Sequence, residues 1–177
     1  MIKERKIKSA LISVFSKDGL DDLVQELSNN NVDIYSTGGT QAYIENLGIK
    51  VIQVEELTNY PSILGGRVKT LHPKVFGGIL NRSDDQGDLS QLREFQIPNI
   101  DLVVVDLYPF QDTVSSGADH QDIIEKIDIG GISLIRAAAK NYNDVLIVSN
   151  KDQYKEVVSI FKENGTRTSI EKRKEFA

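Results

Sequence analysis

The stretch from Gly65 to Leu80 sets Arg67, Lys69, Thr70, His72 and Lys74 between two glycine pairs, Gly65-Gly66 and Gly77-Gly78. Cations and a hydroxyl at that spacing can hold an anion. Arg67, Lys69 and Thr70 sit too close in sequence to share one helical face, so a loop that turns all three toward one ligand suits them better. The chain carries a formal net charge of -5, and broad nucleic-acid binding calls instead for a basic surface excess. One basic pocket in an acidic protein fits a small phosphorylated ligand. The plainer alternative is a solvated basic loop, and the flanking glycines weigh against it.

A second constellation runs from Asp128 through Gly130-Gly131 to Arg136 and Lys140. From Ile132 the residues are apolar or small almost all round, as in a buried helix, and Arg136 and Lys140 lie four apart on one face. A charge buried there needs an anionic partner, either a structural carboxylate or a ligand. A lysine among apolar neighbours can also have its pKa lowered toward neutrality, where it exchanges protons. In a continuous helix, however, Asp128 and Lys140 stand roughly 18 Å apart at 1.5 Å per residue. They share one ligand only across a sharp turn at the glycines, across a long ligand, or across two subunits.

Tyr108, followed by Pro109, is a rigidly held phenol suited to a developing oxyanion, or an aromatic lid over the sheet. His72 precedes Pro73 and reads as loop structure, and His120 lies in a polar segment, so neither supports a metal site or a nucleophilic triad. The carboxylates lack metal-site spacing, and no cofactor is implied. The chain has no cysteine, which removes disulfides and thiol nucleophiles together and permits an intracellular setting. No apolar run approaches the roughly 20 residues of a membrane span.

The elements that must position these groups follow from periodicity. Apolar runs at residues 10–14, 32–35, 51–54, 101–107 and 145–148 read as strands. Helical spacing appears over residues 20–27, 42–47, 84–95, 119–126, 132–140 and 151–164, while residues 55–80 read mostly as loop with a short helix after Pro73. Residues 101–107 are continuously apolar in their middle, as expected of a central strand covered on both faces. Five strands alternating with helices predict one α/β domain with a parallel sheet and right-handed crossovers. A helix that starts at a Ser or Thr cap near residue 168 is expected to lead onward, so residues 1–165 read as the domain and 166–177 as the start of a connection.

In open α/β sheets ligands collect at the carboxyl ends of strands. Three polar clusters fall there: Phe15-Ser16-Lys17-Asp18, Thr37-Gly38-Gly39-Thr40 and Asp106-Leu107-Tyr108. Gly38 and Gly39 allow close backbone approach, the two threonines offer hydroxyls, and the following helix presents free N–H groups, a set that suits phosphate.

Those clusters, with Arg67-Val68-Lys69-Thr70-Leu71-His72-Pro73 and the run from Ile127-Asp128-Ile129-Gly130-Gly131 to Lys140-Asn141, resemble in order the inosine monophosphate cyclohydrolase domain of bifunctional purine biosynthesis enzymes. The resemblance implies a methylglyoxal-synthase-like, Rossmann-like fold and dehydrative closure of 5-formamidoimidazole-4-carboxamide ribonucleotide to inosine monophosphate, in the ring-closing direction of a cyclic-amidine hydrolase. It implies that Phe15, Ser16, Lys17, Thr37, Gly38, Gly39, Thr40, Arg67, Val68, Lys69 and Thr70 hold the nucleotide. Val105, Asp106, Asp128 and Ile129 would line the base, Lys140 would move the proton, and Lys69, Tyr108 and Asp128 would support it. A C-terminal formyltransferase domain, a homodimer and a cytoplasmic location belong to the same expectation. Ser16 and Asp18 depart from the family's usual aspartate and threonine, Asp106 from its asparagine, and Phe76 and Tyr142 from histidines. A non-catalytic module of the same fold that binds a phosphorylated regulator is the main alternative. Methylglyoxal synthase itself fits less well, because its acid-base chemistry expects aspartate and histidine in the site.

Overall fold

The computed structural model describes residues 4–177. After a short strand β1 (Arg5–Lys6), the chain enters β2 (Ser9–Ser13), whose Ala10, Leu11 and Ile12 are fully buried. Helix α1 (Leu20–Asn29) follows, with Leu20, Leu23, Val24 and Leu27 forming its buried stripe and Asp21 and Asp22 placed favourably in its first turn. Next come β3 (Asp33–Ser36), α2 (Gly38–Asn46), β4 (Ile52–Gln53), α3 (Val54–Thr58), α4 (Pro73–Leu80) and α5 (Gln86–Glu94). The second half runs β5 (Leu102–Val105), α6 (Phe110–Ser115), α7 (His120–Glu125), α8 (Ile129–Lys140), β6 (Leu146–Val148), α9 (Tyr154–Asn164), β7 (Arg167–Thr168) and α10 (Ile170–Phe176).

Five strands form one parallel sheet in the order β4-β3-β2-β5-β6, which is the α/β architecture expected. The middle place belongs to β2, with β5 beside it. Because side chains alternate across a strand, Ala10, Ile12, Leu102, Val104, Leu146 and Val148 join the core under α1 and α9. Leu11, Val103, Val105 and Ile147 face the opposite way and pack with Val54, Val75, Ile79, Leu134, Ala137 and Ala138.

Four features differ from the pattern-based expectation. Strands β1 and β7 pair antiparallel as a separate two-stranded sheet, with Arg5 opposite Thr168; two-residue strands carry no periodic signal. Residues 54–58 and 110–115 are helical turns too short for a repeating apolar stripe. Helix α8 begins at Ile129, three residues earlier than its apolar run, because Asp128 caps it. That helix is also less buried than its composition suggests. Leu134, Ala137 and Ala138 are covered, while Ile132 is 41% exposed and Arg136 and Lys140 lie at the surface, so neither charge needs a buried partner.

Near the end of the chain, α10 packs onto the rest. Arg173 is fully buried and donates to the carbonyls of Tyr142, Asn143 and Thr168, and Phe176 joins the α1–α9 core. A buried guanidinium is tolerable there because its donors are met by backbone acceptors.

Candidate active site

The sheet order reverses between β2 and β5, since β2, β3 and β4 step one way and β5 and β6 the other. Ligands in open α/β sheets bind at this reversal, outside the carboxyl ends of the strands. Ser13 pairs with Val105, so the turn after β2 and the turn after β5 leave the sheet side by side. Two adjoining cavities open there, of about 460 Å³ and 160 Å³. Ser13, Lys69, Tyr108 and Asp128 line both, which makes them two lobes of one crevice. The larger lobe lies within the range of roughly 300–1,000 Å³ typical of small-molecule sites.

The smaller lobe is made of strand ends. Phe15, Lys17, Thr37, Gly39, Thr40 and Asp106 line it. Gly38 takes φ +56°, a left-handed value natural to glycine, and a side chain there would approach Lys69 Nζ at 3.6 Å. No side chain caps the start of α2, so its first amides remain available to an anion. The threonine hydroxyls, by contrast, are committed to the protein. Thr37 Oγ1 donates to Glu55 Oε1 at 3.0 Å, and Thr40 Oγ1 donates to the Val14 carbonyl at 2.9 Å while accepting from Val14 N–H. They shape the lobe and leave ligand binding to backbone N–H groups and lysines. Lys17 Nζ donates to the carbonyls of Val14 and Phe15, and burial lowers its pKa, an effect partly offset by the Asp106 charge.

The larger lobe is walled by the Gly65–Thr70 loop on one side and by Ile124, Glu125, Ile127 and the start of α8 on the other. Asp128 accepts from Gly131 N–H at 2.6 Å, capping α8 and fixing its carboxyl at the mouth. A Cβ at Gly131 would collide with that carboxylate, so a larger residue there would push Asp128 off its capping position. Arg67 pairs with Glu125 at the rim, an exposed contact that raises the Arg67 pKa and lowers that of Glu125. Lys69 has no such partner among the described residues. Tyr108 packs edge-on against Phe15, with ring centroids 5.3 Å apart, and Lys126 Nζ lies 5.5 Å from the Tyr108 centroid.

Thus the crevice gathers Phe15, Lys17, Thr37, Gly39, Thr40, Arg67, Lys69, Thr70, Asp106, Tyr108, Asp128 and Ile129, with Gly38 at its edge. It does not gather the rest. Val105 is 1% exposed inside the core, because the alternation that buries Val103 on that face buries Val105 as well. Val68 is tied into a bridge with Ile63, and Ser16 lines neither lobe. Lys140 stands at the far end of continuous α8 from Asp128, so in one chain the two are roughly 18 Å apart along the helix axis. His72 instead caps α4, its Nδ1 accepting from Lys74 N–H. Sequence reasoning missed Ser13, Glu125, Ile124 and Ile127. Only Ser13, a polar residue ending an apolar strand, carried a readable signal.

Fold and crevice together define a small-molecule-sized site at the switch point of a parallel sheet. A family model described as the MGS-like domain matches residues 19–133, and the chain belongs to that family. It is 58% identical over 174 residues to the bifunctional purine biosynthesis protein PurH of Bacteroides thetaiotaomicron, covering 98% of this chain and 34% of that protein. PurH of Corynebacterium glutamicum is 52% identical over 166 residues, 93% of this chain and 32% of its own length. The chain therefore spans about a third of these relatives. Among solved structures, the crystal structure of ForH superposes with a TM-score of 0.79 at 32% identity, over 97% of this chain and 88% of that one. Among the described residues no helix is long and apolar enough to cross a membrane, and no group of His, Cys, Asp or Glu is placed to hold a metal.

Proposed function

We propose that this chain is an inosine monophosphate cyclohydrolase. The observation that carries the reading is the wall shared by the two lobes, where Lys69, Tyr108 and Asp128 meet. The smaller lobe, with Lys17 and the open start of α2, takes the phosphate; the larger lobe takes the imidazole. In the reaction the carboxamide nitrogen bonds to the formyl carbon, one nitrogen proton passes to the formyl oxygen, and that oxygen leaves as water with a second nitrogen proton. Lys69 and Tyr108 donate to the formyl oxygen as negative charge builds on it, and Asp128 receives the proton shed by the attacking nitrogen. No metal or redox group enters this balance. The kinship with PurH supports the substrate, and the relatives' threefold greater length supports a further, formyltransferase domain beyond this one. A homodimer and a cytoplasmic location are part of the same reading.

Conversion of 5-formamidoimidazole-4-carboxamide ribonucleotide to inosine monophosphate, followed by purine absorbance, tests it directly. Nucleotide binding without turnover would instead favour a regulatory module. Lys140 takes part only when a second copy brings it to the crevice, because α8 holds it away from Asp128 of its own chain. Lys140→Ala is then expected to lose nearly all turnover and to regain part of it when mixed with Lys69→Ala, through hybrid sites. Unchanged turnover in Lys140→Ala would remove that residue from the chemistry.

A further inference from the structure

Asp106 lines the smaller lobe, yet both its carboxylate oxygens are engaged by the protein's own backbone. It leaves the end of β5 next to the end of β2, and its two carboxylate oxygens each take one of two consecutive amides: Phe15 N–H bonds to Oδ1, and Ser16 N–H to Oδ2 at 2.9 Å. Successive N–H groups converging on one point form an anion-binding concavity. Here the anion is built into the chain. We infer that Asp106 is a positioning residue, which locks the turn after β2 in its binding form before any ligand arrives and directs the ligand's anionic group to the start of α2 and to Lys17.

Three further contacts make the turn a closed unit. Thr40 holds both polar groups of Val14, Lys17 Nζ grips the carbonyls of Val14 and Phe15, and Lys151 Nζ pairs with Asp18 at 2.8 Å on the far side. With its amides taken by Asp106, the turn has no backbone donor at Phe15 or Ser16 left for a phosphate. What it offers the crevice is the Lys17 ammonium and the Phe15 ring, and the ring in turn braces Tyr108. The residue type matters as much as its place. A carboxylate presents two acceptors to two donors, whereas an asparagine would present one acceptor and set its NH2 against the other amide. Fixing the turn in advance spares the ligand the cost of ordering it.

The test uses the ligand-free chain first. In Asp106→Ala the Phe15 and Ser16 amide hydrogens should exchange with solvent about tenfold faster, and in Asp106→Asn by a smaller factor, in line with the loss of hydrogen bonds to a charged acceptor. Amides of Leu11 and Val103 in the sheet should not change, which separates loss of the lock from loss of the fold. Calorimetry with inosine monophosphate should then show affinity falling in the same order, by about tenfold in the alanine variant. Unchanged exchange at Phe15 and Ser16 would overturn the inference. So would faster exchange with equal or tighter nucleotide binding, which would mean that the carboxylate only competes with the ligand. The affinity arm rests on the nucleotide reading above. Absence of binding by the native chain counts against that reading, while the exchange arm still decides whether Asp106 holds the turn.

Discussion

The two lobes of the crevice are built by opposite means. The smaller is framed by strand ends and the first turn of a helix, so the register of a buried sheet sets its geometry: Ser13 opposite Val105, Ile12 opposite Ser36. The larger is framed by irregular backbone, with Leu64 and Gly65 at positive φ and with Arg67 joined to Glu125 by an exposed ion pair that contributes little to stability. The first is organised before a ligand arrives, whereas the second has polar groups free to change partners. In the proposed reaction the rigid lobe would take the phosphate, and the adaptable one the base that changes shape.

Removing Lys69, one of the four residues that line both lobes, should do the most damage. Lys69→Ala is expected to lower kcat/KM by roughly 100-fold or more, the scale seen when one charge-stabilising donor is lost from a site. Steady-state kinetics with the formylated ribonucleotide checks it. A loss confined to KM would assign Lys69 to phosphate binding alone and would break the division proposed between the lobes.

Asp128 separates structure from chemistry in the adaptable lobe. Asparagine can still accept from Gly131 N–H, so Asp128→Asn should keep the cap and the melting temperature. Asp128→Ala should lose the cap, about 1 kcal/mol or a fall of about 3 °C for a chain of this size. Both variants should lose turnover together, since neither has a carboxylate. If thermal denaturation and kinetics instead change in parallel, Asp128 serves only to start α8.

This contrast also explains how much was legible in the sequence. The rigid lobe was readable because residues 10–14 and 101–107 announce themselves as buried strands, and polar residues just beyond such strands must lie at their ends. Lys17, Thr37, Gly39, Thr40 and Asp106 follow from that alone. Its details were not readable, because hydrogen bonds such as Thr37 to Glu55 or Ser16 to Asp106 join residues 18 and 90 positions apart. The adaptable lobe was readable only through the density of charge around Arg67 and Lys69 and through resemblance. Nothing in the polar segment around residue 125 marks Glu125 as the partner of Arg67. The expected burial of α8 failed because small and apolar residues all round a helix record only which faces could be covered. In this chain one face of that helix is left open, with Ile129, Ile132, Arg136 and Lys140 exposed along its length.

The smallest expected effect concerns pH, and it sharpens the view of the first lobe as a fixed cationic floor. Burial lowers the Lys17 pKa from its ordinary value of 10.5, with Asp106 acting in the opposite sense. A lysine whose folded pKa lies below its unfolded value holds its charge at a cost. Its protonated form therefore weakens the fold at neutral pH, and that penalty fades as pH rises from the folded pKa toward 10.5. Nucleotide affinity should move the other way, because only the ammonium attracts phosphate. Across the same window the native chain should lose affinity for inosine monophosphate by a fewfold while gaining stability relative to Lys17→Met, and Lys17→Arg should keep its affinity to higher pH because guanidinium stays charged. Parallel pH profiles of affinity in the native chain and in Lys17→Met would show that the ammonium does not meet the ligand, and would leave the phosphate to the start of α2.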